Sequence, residues 1–202
     1  MKKIILAAVA LLCLQGTAAA QRHIEYRWHG IYFVGDASYV TNALTRSSSD
    51  QQIVDTVSGF MASLSGGYQF RKEAGVGLGF SYFSDPTGAF TQLPLYVELR
   101  SHFSRSRWTP YTVLQVGYTM PVGASSEPPI TKIDEGGLYL GIEFGYRYAF
   151  NRTVALAGHI GYHFMQSNSV IRHDAITNAP ILKDHVVQHL IGGGLSLYLS
   201  ND

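Results

Sequence analysis

The sequence predicts an all-β protein, an eight-stranded antiparallel up-and-down transmembrane β-barrel. Three observations predict it. Residues 136–166 alternate apolar and small or polar side chains with period two. Charged residues make up 14% of the chain, well below the roughly 25% usual for soluble domains. The connections between alternating segments are by turns tight and long, as in barrels with short periplasmic turns and longer outer loops.

The alternation is clearest in one hairpin. Leu138, Leu140, Ile142, Phe144, Tyr146, Tyr148 and Phe150 share a face, with Tyr139, Gly141, Glu143, Gly145, Arg147 and Ala149 between them. After a polar turn, Val154, Leu156, Ile160, Tyr162 and Phe164 alternate with Ala155, Ala157, His159, Gly161 and His163. Successive side chains on a strand point to opposite faces. One face is therefore apolar with aromatic ends, and the other is small, polar or charged.

The N-terminus reads as a secretory signal peptide over residues 1–20, with the barrel over 21–202. Lys2 and Lys3 precede an apolar run from Ile4 to Leu14, and Thr17-Ala18-Ala19-Ala20 offers small residues for cleavage. The run is too short to span a membrane as a helix. Cys13 does not make a lipoprotein signal, because Leu12 stands where a small residue is required. It is also the single cysteine, so the mature chain has no disulfide, thiolate nucleophile or cysteine metal site.

Taking away Lys2 and Lys3 leaves 13 basic residues of the 15, against 14 acidic ones. With no basic patch, nucleic acid is not an expected partner. No run of about 18 apolar residues follows the leader, so a helical membrane protein is excluded. A spanning chain must then close into a barrel, since an unpaired sheet edge cannot sit in hydrocarbon.

Eight strands are expected in order: Tyr26–Val40, Thr56–Phe70, Glu73–Phe83, Phe90–Phe103, Trp108–Met120, the two arms of the hairpin, and Val186–Ser200. Most exceed the roughly 9–11 residues that cross a bilayer at a tilt, so their ends should project. Thr41–Asp55, Pro121–Glu135 and Ser167–His185 read as long outer loops, and Ser84–Ala89 as a moderate one. Arg71–Lys72, Ser104–Arg107 and Asn151–Arg152 read as tight turns.

The outward faces follow from parity. Val76, Leu78, Phe80 and Tyr82 belong there, as do Leu93, Leu95, Val97, Leu99 and Phe103. Thr112, Leu114, Val116 and Tyr118 join them, with Ile191, Leu195, Leu197 and Leu199 from the last strand. Phe70, Phe103, Trp108 and Phe150 fall beside the tight turns, and Tyr82, Phe90, Tyr118 and Phe164 beside the longer loops. Two aromatic rows at opposite strand ends suit the two interfaces of a bilayer.

The inward face is expected to carry a polar network of Glu98, Arg100, His102, Tyr111, Glu143, Arg147 and His159, accompanied by Tyr96, Gln115, Tyr139, His163 and Gln188. If Tyr148 pairs with Val154, Glu143 lies opposite His159, Tyr139 opposite His163 and Arg147 opposite Ala155. If Phe103 pairs with Trp108, Arg100 lies opposite Tyr111. An interior of eight strands is just wide enough for side chains, and an unpaired charge there costs several kcal/mol. The expectation is a salt-bridged plug. His159 and His163 are about 13 Å apart along their strand at 3.3 Å per residue, too far to chelate one ion as a pair. No catalytic residue, cofactor or metal is expected.

Leader, eight alternating strands, alternating loop lengths and lumenal Glu/Arg pairs together resemble the small outer-membrane β-barrel family of OmpX-like and opacity-type porin-family proteins. The resemblance covers Tyr26 to Ser200. It implies a Gram-negative outer membrane, contact with lipid and lipopolysaccharide, a monomer, and a non-enzymatic structural or surface-binding role through loops 41–55, 121–135 and 167–185. The chain end departs from the pattern: many such barrels finish on an aromatic residue, whereas here Tyr198 is the nearest, before Leu199-Ser200-Asn201-Asp202. A second resemblance is to outer-membrane lipid A deacylases, which carry a His-x-Ser-Asn motif. Here Ser167-Asn168 is present but Met165 stands at the histidine position, and His163 is about 13 Å from Ser167 on an extended strand. A lipid A-modifying enzyme and a narrow solute pore are the alternatives to a plugged barrel.

Overall fold

The computed structural model describes residues 29–47, 58–84, 86, 91–122, 131–173 and 180–201. The expected signal peptide, the start of the first expected strand and Phe90 lie outside them. The strands are β1 (Gly30–Ser47), β2 (Ser58–Arg71), β3 (Ala74–Ser84), β4 (Thr91–His102), β5 (Trp108–Pro121), β6 (Thr131–Glu135), β7 (Gly137–Ala149), β8 (Val154–His173) and β9 (Pro180–Asn201).

Eight of them close a barrel. β1 to β5 pair in sequence order, β5 pairs β7, β7 pairs β8, β8 pairs β9, and β9 returns to β1. Every pairing is antiparallel. Closure removes the edges that could not survive in lipid. Beside Pro94 the β3–β4 ladder has a gap between Phe80↔Leu95 and Phe83↔Gln92, with the register kept, where proline has no amide hydrogen to give.

Three expectations at the outer end change. β6 is a ninth strand that prolongs β7 along the outer part of β8: Thr131, Lys132 and Ile133 pair with Arg172, Ile171 and Val170. Residues 41–47 are strand rather than loop, paired with β9 as far as Ser47↔Val186. Residues 167–173 and 180–185 likewise continue the β8–β9 ladder to His173↔Pro180. Backbone amides that leave the membrane still take partners where a neighbouring strand offers them.

Two registers also differ from expectation, each by two residues. Tyr148 pairs with Leu156, not Val154, and His102, not Arg100, pairs with Tyr111. Thus Glu143 faces Gly161, Tyr139 faces Met165 and Arg147 faces Ala157. The cause is the turns. Phe150 N donates to Val154 O at 3.0 Å, and Asn151 Oδ1 accepts from the amides of Thr153 at 2.8 Å and Val154 at 2.7 Å, so the turn takes in residues 150–153. This is the local bonding that favours Asn in turns. In the β4–β5 turn Phe103 N reaches Pro110 O at 2.9 Å, and Thr109 Oγ1 donates to Ser106 O at 2.6 Å. In the β2–β3 turn, Lys72 Nζ meets Glu73 Oε1 at 3.1 Å. Backbone hydrogen bonding first, then Lys72, holds the Glu73 carboxyl below its ordinary pKa.

The outer wall is apolar, as at Leu78 and Ile160, both 68% exposed. Inside lie two apolar clusters. Tyr32, Val34, Tyr111, Val113, Ala149, Ala155, Ala157 and Tyr198 fill the half toward the tight turns. Val40, Met61, Phe83, Tyr96, Tyr139, Met165 and Leu190 fill the outer half. A belt of buried charged and polar side chains separates them.

Candidate functional site

The belt is built by strand parity. On β4, Tyr96, Glu98, Arg100 and His102 all turn inward. β1 contributes Tyr32, Asp36 and Ser38, β7 contributes Tyr139, Glu143 and Arg147, β8 contributes His159 and His163, and β9 contributes Ser196 and Tyr198. Glu98 is wholly buried and Arg100 is nearly so.

Glu98 and Arg100 form an ion pair along one strand, with Arg100 Nη2 3.1 Å from both carboxylate oxygens. Tyr32 Oη donates to Glu98 Oε1 at 2.8 Å from β1. Arg100 Nη1 donates to the Tyr198 hydroxyl on β9. The Arg100 guanidinium also lies over three rings, 5.0 Å from Tyr198, 5.4 Å from Tyr32 and 5.9 Å from Tyr111. A planar, weakly hydrated cation suits such a cage better than lysine would. The Arg147 guanidinium also lies 5.4 Å from the centre of the Tyr198 ring. His102 and Tyr111 pack against Tyr198 edge to face, at 6.5 Å and 5.8 Å.

The remaining predicted residues fall into two neighbouring groups. Glu143 Oε1 accepts from Gln115 Nε2 at 3.1 Å. Gln115 Oε1 in turn accepts from the Tyr139 hydroxyl at 2.8 Å, which lies 3.0 Å from His163 Nδ1. His159 is held between two serines, Ser38 Oγ 3.2 Å from Nε2 and Ser196 Oγ 3.2 Å from Nδ1. Asp36 Oδ2 lies 3.4 Å from His159 Nε2. Both hydroxyls donate to Asp36, from Ser38 at 2.6 Å and from Ser196 at 3.0 Å.

Of the four expected charges, Glu98 pairs with Arg100, and Glu143 accepts from the side-chain amide of Gln115. Asp36, Tyr32, Ser38 and Ser196 were missed by sequence reasoning. The parity signal for Asp36 was present, in step with Tyr32, Val34 and Val40. Tyr198, a candidate terminal aromatic, is a buried lumen residue instead.

The interior fits because glycines face the large rings. An added Cβ at Gly77 would lie 2.5 Å from the Tyr32 hydroxyl and 3.1 Å from Glu98 Cγ. At Gly79 it would meet the Tyr96 ring at 2.6 Å. The arrangement braces strands across the barrel.

His163 and Ser167 do not meet as a dyad. His163 is engaged with Tyr139, and Ser167 Oγ accepts from Gln92 Nε2 at 2.9 Å. Among the described residues, no group of three or more His, Cys, Asp and Glu could hold a metal ion.

A family model described as outer membrane protein beta-barrel domain matches residues 4–179. Among solved structures, Neisserial surface protein A (NspA) aligns at TM-score 0.53 and 15% identity, over 85% of this chain and 97% of that one. The outer membrane protein OprG from Pseudomonas aeruginosa aligns at TM-score 0.50 and 16% identity, over 88% of this chain and 100% of that one. At these identities the likeness is one of fold. A comparison with curated proteins gives no match.

Proposed function

We propose that this chain, which belongs to the outer membrane protein β-barrel domain family, is a non-enzymatic barrel with a lumen plugged by its own side chains. Its location is the outer membrane. Residues 1–20 serve as a cleaved leader, residues 21–202 form the barrel, and the protein works as a monomer among lipid and lipopolysaccharide. Its role is structural or surface-binding, exerted through 41–55, 121–135 and 167–185. The paired ends of β1, β8 and β9 act as stems for those loops.

One observation carries this reading: the Tyr32–Glu98–Arg100–Tyr198 strap, in which one buried ion pair takes hydroxyl partners from two other strands. A lumen whose charges satisfy one another offers ions no replacement for their hydration. The test is conductance in planar bilayers. The mature chain should insert without steady ion current, and a reproducible current through the wild type would overturn the plug. Lipid A from expressing cells should keep its mass, with or without His163→Ala; a mass change abolished by that substitution would establish an enzyme.

A further inference from the structure

The three tight turns at one end of the barrel repeat a pattern. Phe70-Arg71-Lys72, Phe103-Ser104-Arg105 and Phe150-Asn151-Arg152 each set a cation two residues beyond a phenylalanine. Arg71 and Arg107 stand in the same turns. Removing Lys2 and Lys3 from the 15 basic residues leaves 13, and these turns hold five of them: Arg71, Lys72, Arg105, Arg107 and Arg152. Of the 14 acidic residues they hold one, Glu73.

Backbone bonds stitch the turns into one rim. His102 N donates to Lys72 O at 2.7 Å and joins the first turn to the second. Ala149 N donates to Arg107 O at 3.0 Å and joins the second to the third. Ser200 N donates to Thr153 O at 2.8 Å, and Ser200 Oγ to Arg152 O at 3.0 Å, which ties the third turn to β9. The cations are therefore held at fixed stations around the barrel end. Arg71, Arg105, Arg107 and Arg152 are exposed. Glu73 is taken by Lys72 at 3.1 Å, and among the described residues no carboxylate forms an ion pair with the four arginines.

Phe70, Phe103 and Phe150 are exposed on the outer wall, at the level where aromatic side chains meet headgroups. Tight turns face the periplasm in such barrels. Two residues add up to about 7 Å at 3.3 Å each, so Lys72, Arg105 and Arg152 stand past the headgroups, toward the periplasm. One exposed ion pair is weak, but a ring of fixed cations gains from many contacts made at once. Guanidinium forks take carboxylates by two hydrogen bonds each. Such a rim fits a polymer that repeats carboxylates better than it fits a single mobile headgroup. We propose that it docks the carboxylate-bearing peptides of the cell-wall polymer and tethers the barrel to the wall from the periplasmic side.

Co-sedimentation of the mature chain, refolded in a nonionic detergent, with isolated peptidoglycan sacculi tests this. Arg105→Gln/Arg107→Gln/Arg152→Gln strips the rim, and Lys132→Gln/Arg172→Gln/Lys183→Gln removes as many charges at the other end. The wild type and the second variant should sediment with the sacculi at low salt and be released at about 0.5 M NaCl, where charges are screened over a few ångströms. The stripped rim should bind about tenfold or more weakly. Sacculi whose carboxylates have been converted to amides should retain none of the three proteins. Equal retention of the rim variant overturns the proposal, as does undiminished retention on amidated sacculi, or no retention of the wild type. Native mass spectrometry with dioleoyl phosphatidylglycerol supplies the competing outcome: if the rim variant loses that lipid while its sacculus binding is unchanged, the rim is a headgroup clamp and the proposal fails. Heat-modifiable gel mobility reports whether each variant folds. Should the triple variant fail to fold, Arg105→Gln/Arg152→Gln must show the weakened binding, and equal retention of that variant overturns the proposal in the same way.

Discussion

Tyr32 donates a 2.8 Å hydrogen bond to Glu98 Oε1, an oxygen that Arg100 also contacts at 3.1 Å. β1 and β4 are separated by two strands on the barrel wall, so this bond ties through the lumen what the backbone ladder joins only the long way round. Tyr32→Phe keeps the ring over Arg100 and removes the bond. It should cost about 1–2 kcal/mol, the usual effect of losing one partner of a buried charged group. The reading is a lower midpoint in urea unfolding from lipid vesicles with an unchanged slope. An unchanged midpoint would mean that Arg100 alone holds Glu98.

Arg100 has more to lose. Arg100→Met keeps volume but leaves the Glu98 carboxylate buried with one hydroxyl donor, and a broken buried pair costs about 3–5 kcal/mol. Glu98→Gln added to it removes the stranded charge. The double variant should therefore be more stable than Arg100→Met alone, and the two losses should not add. Additive losses in the same unfolding measurement would show that the two side chains are held independently.

Why the sequence predicted faces but not partners follows from these residues. Glu98, Arg100, Glu143 and Arg147 were placed inside because their neighbours Leu95, Val97, Phe144 and Tyr146 are large and apolar, and parity does the rest. Which residue each inward group meets depends on the turn. Turns 103–107 and 150–153 each shift the register by two, and a shift of two leaves every side chain on its own face. The hydrophobic pattern is blind to such a shift, which the Asn151 side chain sets in one turn and the Phe103–Pro110 and Thr109–Ser106 hydrogen bonds set in the other. Asp36 escaped notice for a different reason: its outward neighbours are Gly35 and Ala37, so the apolar contrast that marks a lipid-facing strand is weak there. The strap itself joins β1, β4 and β9, a contact between strands far apart in sequence that no local period encodes.

Gly77 is small because Tyr32 is large. A Cβ there would stand 2.5 Å from the Tyr32 hydroxyl and 2.9 Å from Gly66 O, and Tyr32 cannot swing away without giving up Glu98. Gly77→Ala should cost about 1–3 kcal/mol through overpacking. Pairing it with Tyr32→Phe, which trims the clashing oxygen, should recover part of that loss. No recovery in the double variant would place the strain in the backbone contact with Gly66 instead.

Tyr198 is the residue on which the proposed plug converges. Its ring is 5.0 Å from the Arg100 guanidinium and 5.4 Å from that of Arg147, and 5.8 Å from Tyr111. Tyr198→Ala removes an aromatic wall from both cations and leaves a void between Tyr111 and His102. A buried aromatic truncated to alanine costs about 3–5 kcal/mol. The void is lined by charged groups, so water rather than vacuum should fill it. That gives a second, sharper reading. If side chains are what block the bore, Tyr198→Ala should show ion current in planar bilayers where the wild type shows none, and Tyr198→Phe, which keeps the ring, should not. A variant that is destabilised yet still electrically silent would mean that the outer cluster of Phe83, Tyr139 and Met165 seals the barrel by itself. In that case adding Tyr139→Ala should start the current.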